Sequence, residues 1–272
     1  VAHMTYLGLY ALQHRGQETA GMAVSDFEDI TVVKDMGLVA HVFDDRTLAP
    51  LTGHLAIGHT RYSTAGASAI ENAQPILARV RRSHIALAHN GNLTDARRLR
   101  RELFDTGHRH TNTESDSEVL LNVLAHELGR ANSGTPLKTQ DVFAAVRAVH
   151  QRVQGSYAVV ALIAGYGLLA FRDPFGIRPL CLGKGPGGTV MVASESVALE
   201  GTLHTLDSDI APGEAVFIHL DGRIERQQCA QHSQLYPCIF EYIYLARPDS
   251  VMDGISVYQA RLNMGETLAK FG

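Results

Sequence analysis

Apolar positions along the chain change period twice. Residues 29–43 and 54–62 are rich in Val and Ile with partial alternation, the period-2 pattern of half-buried strands. A polar stretch of small residues, 63–75, follows and ends at Pro75. Residues 84–91 form a short apolar strand closing on Asn90-Gly91. From residue 94 the period lengthens to that of a helix: 94–104 is one, and a second starts at Ser115, where Ser-Asp-Ser-Glu matches a capping box. Leu120, Val123, Leu124 and Leu128 continue that second stripe, and Val142, Phe143, Val146, Val149 and Val153 make a third helix over 139–153. At Ser156 the pattern returns to strands, with a turn near Ala164–Gly167, a hairpin around Gly183–Gly188 and another over 214–229 that turns at Asp221-Gly222. A last amphipathic helix covers Ser256–Phe271. Strands, then helices, then strands predict an α+β fold of sheets and helices packed in layers.

Composition narrows this without redirecting it. The 272 residues are 45% hydrophobic and 19% charged, which excludes intrinsic disorder. A net charge of −4 argues against a general nucleic-acid binder or a polybasic membrane anchor. No apolar run approaches the ~18 residues of a membrane helix. The first ten residues have no basic leader and do not read as a signal peptide. Three cysteines, Cys181, Cys229 and Cys238, are too few for a disulfide framework and fit a reducing, cytoplasmic setting.

Taken singly, the polar residues at strand ends have ordinary meanings. Arg61 reads as an exposed strand-end cation, Asn90-Gly91 as a turn, and Asp116 as an acid favoured by the helix dipole. Gly183–Gly188 lacks the Gly-Lys-Ser/Thr ending of a phosphate loop. Cys229, His232 and Cys238 lack the partners that would complete a structural zinc site. His108 and His110 read as loop residues, and Arg97, Arg98, Arg100 and Arg101 as a solvated helix face. No Gly-x-Ser-x-Gly elbow occurs.

In combination these segments are specific. Leu12-Gln-His-Arg15-Gly-Gln17, GHTRYSTAG at 58–66, LAHNGNL at 87–93 and SDSE at 115–118 occur in one order, followed by FRDPFGIRPL at 171–180, VASES at 192–196 and PCIFEYIYLARPDS at 237–250. The set closely resembles the glutaminase half of the amidophosphoribosyltransferase family over nearly the whole chain. The resemblance implies an N-terminal nucleophile hydrolase fold, a four-layer αββα sandwich. Residues 1–236 would be the glutaminase domain, and 237–272 a connector into a phosphoribosyltransferase domain.

By resemblance, Arg61 holds the α-carboxylate of glutamine and Asp116 its α-ammonium. Asn90 and Gly91 stabilise the oxyanion, Tyr62 with Ser63, Thr64 and Gly66 forms a lid, and Arg15 organises the site. The reaction implied is glutamine hydrolysis, the ammonia passing to phosphoribosyl pyrophosphate in the first committed step of purine synthesis. The family's nucleophile is an N-terminal cysteine, which the resemblance places a short stretch before Val1, and none of the three cysteines stands in its motif. The alternative is therefore a glutamine-binding or regulatory module without catalysis. Mg²⁺ and, in some members, a 4Fe–4S cluster belong to the full-length enzyme. Cys238 falls where one cluster ligand is found, while nothing within the chain supports a cofactor of its own. Homo-oligomers are the family's habit.

Overall fold

A computed structural model describes residues 1–62, 69–80, 83–107, 109–131 and 136–271, the last without the side chain of Phe271. The chain opens with a helix, α1 (Ala2–Ala11), and a buried strand, β1 (Thr19–Ser25). Then come β2 (Ile30–Met36), the one-turn helices α2 (Val39–Val42) and α3 (Asp45–Leu48), and β3 (Leu55–Arg61). β4 (Ile76–Val80) and β5 (Ser83–Leu93) precede three long helices, α4 (Ala96–Gly107), α5 (Asp116–Ala131) and α6 (Thr139–Arg152). The second half runs β6 (Gly155–Ile163), β7 (Gly167–Arg172), β8 (Cys181–Lys184), β9 (Val190–Ala193), α7 (Ser196–Glu200), β10 (Thr205–Asp209), β11 (Glu214–His219) and β12 (Ile224–Gln228). A wide helical turn at Glu241–Leu245, a small hairpin of β13 (Val251–Met252) and β14 (Ile255–Ser256), and α8 (Val257–Phe271) complete it.

Four layers result. The central one is a six-stranded antiparallel sheet ordered β12-β11-β7-β6-β5-β4. One face carries Leu87, Tyr157, Val159, Leu169 and Phe171 against the apolar stripes of α4, α5 and α6, the largest core cluster. The other face meets two three-stranded sheets, β2-β1-β3 and β10-β8-β9. Ala86, Ala88 and Leu162 pack on Ala23 and Ile57 of the first. Ala158, Ala170 and Val216 pack on Leu180 and Leu182 of the second. Outside the first sheet, α1, α2 and α3 supply Leu9, Val39, Val42 and Leu48 over Met22 and Val24. Because sheet faces are apolar on both sides here, each needs a covering layer, and the αββα order expected from the resemblance is what the chain adopts.

The structure departs locally from the periodicity. The strand expected over 29–43 ends at Met36: Gly37 takes φ +120°, donates to the Glu18 carbonyl at 2.7 Å, and turns the chain so that Val39 and Val42 bury from a helical turn. The capping box at Ser115 is half formed. Ser115 Oγ accepts from Ser117 N at 3.2 Å, but the Ser115 N–H goes to Thr113 Oγ1, and Glu118 instead collects the N–H groups of Asn112 and Thr113 and both their side chains. Arg97, Arg98 and Arg101 are exposed as expected, whereas Arg100 is half-buried and donates to the Thr113 carbonyl. His108 lies outside the described residues, and His110 stands edge-on to Phe104.

Candidate active site

Arg61 ends β3 opposite Thr19 of β1. It is 7% exposed, so the ordinary reading of an exposed strand-end cation does not hold: β1 and the Leu12–Gln17 segment wall it in. Its Nη1 donates to Glu18 Oε2 at 3.3 Å. Gly16 makes this approach possible, since a Cβ there would stand about 2.5 Å from the Arg61 backbone.

Asn90 and Gly91 lie inside β5, which runs on to Leu93 instead of turning as Asn-Gly usually does. Gly91 has φ +150°, and a Cβ would lie 2.0 Å from the Ser156 carbonyl oxygen and 2.8 Å from His89 Nε2. Only glycine fits that strand. The Nδ2 of Asn90 is buried and has no hydrogen-bond partner among the described residues. A buried donor without an acceptor is costly, which marks it as a group kept for something absent from the folded chain itself. Asp116, the first residue of α5, accepts from the Leu93 N–H at 2.9 Å, so the end of β5 and the start of α5 are tied together.

These residues share one cavity of about 380 Å³, lined by Arg61, Tyr62, Asn90, Gly91, Asp116 and Arg15 among others. Of the described site residues singled out from the sequence, all but Cys238 line it. Tyr62 is 70% exposed at the mouth; its companions Ser63, Thr64 and Gly66 lie outside the described residues. Arg15 is held from behind, donating through Nη1 to Glu195 Oε1 at 2.5 Å and through Nη2 to Glu241 Oε1 at 2.8 Å. Arg178 Nη1 donates to the same Glu241 oxygen at 2.8 Å. Burial works against the charge of Arg15, but the two carboxylates outweigh it and raise its pKa.

Glu195 is fully buried and accepts from His14, Arg15, the Arg247 N–H and the Ser250 hydroxyl. Burial alone would raise its pKa; His14 and Arg15 instead hold it down to about 2. It thereby joins the Leu12–Gln17, Val192–Ser196 and Pro237–Ser250 segments at one carboxylate. Two cavity histidines are kept neutral. His59 is pushed down to about 3, chiefly by burial and then by His89, Arg61 and Arg15. His89 is lowered by burial, with Asp116 opposing. Glu18, His59, His89, Arg178, Glu195 and Glu241 were not singled out from the sequence. Apart from Glu18, which stands just after Gln17, their one signal was membership of the same motifs, because nothing in local spacing says that residues 15, 195 and 241 meet.

A second cavity of about 640 Å³ adjoins the first, sharing Leu9, Leu12 and Gly58. It lies between β3 and β9, the facing open edges of the two small sheets, over Val160, Leu168 and Ile218 of the central sheet.

The cysteines are placed otherwise. Burial pushes the thiol of Cys229 up to about 11 and that of Cys181 higher still, and neither lines the first cavity. Cys238 is half-buried, its N–H bonded to the Ile177 carbonyl. Among the described residues no three His, Cys, Asp or Glu side chains gather as metal ligands. Among these residues no helix is long and apolar enough to cross a membrane.

The sequence and the fold resemble those of known proteins. A family model described as a glutamine amidotransferase domain matches residues 59–201. The amidophosphoribosyltransferase of Pseudomonas aeruginosa is 51% identical over 267 residues, covering 97% of this chain and 53% of the relative; that of Escherichia coli is 48% identical with the same coverage. The chain therefore spans about half the length of the curated relatives it matches. Among solved structures, an allosteric regulatory enzyme of purine biosynthesis superposes with TM-score 0.88 at 36% identity, covering 100% of this chain and 56% of that one. A glutamine phosphoribosylpyrophosphate amidotransferase from Bacillus subtilis, complexed with ADP and GMP, superposes at 0.86 and 35%, with the same coverage.

Proposed function

The chain belongs to the glutamine amidotransferase domain family, in the form amidophosphoribosyltransferases carry, and we propose that it hydrolyses glutamine to supply ammonia for phosphoribosylamine synthesis from phosphoribosyl pyrophosphate. The observation that carries this is one cavity bringing together a buried guanidinium, a carboxylate at a helix start and an amide donor with no partner among the described residues.

Free glutamine is a zwitterion with an inert side-chain amide. Arg61 takes the α-carboxylate, its planar guanidinium offering two parallel donors. Asp116 takes the α-ammonium. As a nucleophile adds to the side-chain carbonyl, negative charge grows on its oxygen, and the Asn90 amide with the Gly91 N–H receives it. Both are preorganised, Asn90 by burial and Gly91 by the β5–β6 ladder, so little reorganisation accompanies the reaction. Tyr62 covers the mouth, and Arg15 braces the wall through Glu195 and Glu241.

The nucleophile expected is a cysteine whose own α-amine takes the thiol proton. The slot between β3 and β9 suits an extended segment pairing with both edges, and such a strand would reach the first cavity at Leu9, Leu12 and Gly58. Residues 1–236 form the glutaminase unit in this reading. Residues 237–272 are the connector, and Leu262, Met264 and Leu268 of its helix α8 are exposed. Phosphoribosyl pyrophosphate, Mg²⁺ and homo-oligomer assembly in the cytoplasm belong to that whole enzyme.

A second reading is a glutamine-binding or regulatory module without hydrolysis, in which Arg61 and Asp116 hold the amino acid. Calorimetry with glutamine, paired with an ammonia assay, separates the two. Arg61→Ala should weaken glutamine binding at least about tenfold, the equivalent of 1.4 kcal/mol. Unaltered binding removes Arg61 from the site, and binding without ammonia release by protein that carries the expected cysteine establishes the second reading.

A further inference from the structure

His89 immediately precedes the two oxyanion donors and is 3% exposed. Its Nε2 lies 3.3 Å from the Ser156 carbonyl oxygen of β6, and its Nδ1 lies 3.1 Å from the Ser117 hydroxyl in the first turn of α5. A carbonyl can only accept, so Nε2 carries the proton and donates, leaving Nδ1 to accept from the Ser117 O–H. The backbone at this position is clamped as well. The His89 N–H donates to Gln74 Oε1 at 2.7 Å, and its carbonyl accepts from Gln74 Nε2 at 3.2 Å. Gly91 rests against the same ring, at a spacing that leaves no room for a Cβ.

One neutral imidazole thus joins three elements: β5 with Asn90 and Gly91, α5 with Asp116 one residue before Ser117, and β6. Resting on the glutaminase reading, we infer that His89 is a positioning residue, held as the Nε2–H tautomer, that sets the Asn90 and Gly91 donors at a fixed place relative to the ammonium-binding Asp116. Both ring nitrogens are engaged, so it acts through its neighbours rather than on glutamine. Burial and the charge of Arg178 keep the ring neutral against the pull of Asp116, and the adjacent His59 is neutral too. Misplacing an oxyanion donor costs rate and leaves ground-state binding nearly intact, because the interaction strengthens only as charge develops.

The test uses protein that carries the cysteine expected before Val1. His89→Ala should lower glutaminase kcat by about 10²-fold with KM for glutamine within about threefold. His89→Gln, whose amide keeps a donor for Ser156, should restore most of that loss. An unchanged kcat in His89→Ala, or a folded His89→Gln without recovery, overturns the proposal. Nitrogen-15 NMR of the imidazole in the unsubstituted protein reads the state without turnover: Nε2–H at neutral pH supports the proposal, and Nδ1–H or the imidazolium overturns it. Should the unsubstituted protein bind glutamine but release no ammonia, the glutaminase reading fails, while the NMR result still decides how His89 is held.

Discussion

Asn90 and Arg172 lie at the same level of the central sheet, one strand to either side of Ala158, which is the register partner of both. Their surroundings are opposite. Arg172 is fully buried, and its guanidinium donates to the carbonyls of Arg178, Ile210 and Gly176 and to both carboxylate oxygens of Asp253. Asn90 faces a cavity with its amide nitrogen unpartnered among the described residues. A buried polar group whose bonds are all made within the chain is structural, and here it fastens the Asp253 turn of the β13–β14 hairpin to the sheet. One left incomplete in a cavity is positioned for a ligand. The sheet supplies the same rigid support to both, and the difference lies in what the neighbouring loops bring to each.

Arg172→Ala strands the Asp253 carboxylate and should destabilise the fold by about 3–5 kcal/mol in urea denaturation; a loss below about 1 kcal/mol would class the pair with surface bridges. Asn90→Ala should leave stability nearly unchanged while lowering kcat about 10²–10³-fold with little effect on KM. A raised KM at constant kcat would refute the oxyanion role.

Acid separates the regions in a third way. His59 has its pKa depressed from 6.5 to about 3, so its contribution is complete above pH 6.5 and is lost as pH falls toward 3. Glu195, depressed from 4.5 to about 2, contributes fully above pH 4.5 and loses that contribution between 4.5 and 2. Denaturation midpoints followed with pH should therefore flatten in the upper window for His59→Gln and in the lower window for Glu195→Gln. Identical profiles for the two variants would undo the assignment. Tyr62→Ala should have the smallest effect: stability within about 0.5 kcal/mol, since the ring is 70% exposed, and glutamine affinity reduced by less than about tenfold in calorimetry.

Much of the architecture was legible because period reports burial. The stripe of Val142, Phe143, Val146 and Val149, and the hairpin turns at Gly183–Gly188 and Asp221-Gly222, lie where the pattern puts them. β1 escaped notice because all of Thr19–Ser25 is buried on both faces and its small residues do not alternate. α1 escaped because its apolar residues are spread around the helix rather than striped. The strand read over 29–43 ran too long because Val39 and Val42 remain apolar beyond the turn at Gly37.

At the site, the residue types were readable and their meeting was not. The motifs, through the family they resemble, implied the αββα class, the glutamine amidotransferase family and the candidates Arg61, Asn90, Gly91, Asp116, Tyr62 and Arg15. Tertiary structure alone decided that Arg61 is buried beside Glu18, that the Asn90 amide nitrogen has no partner among the described residues, and that Glu195 and Glu241 brace Arg15 from segments 180 and 226 residues away. The reason is physical. Periodicity and turn chemistry are set by neighbours a few residues apart, whereas burial of a charge, the state of a histidine and the completion of a hydrogen-bond set depend on which distant segments the fold packs against them.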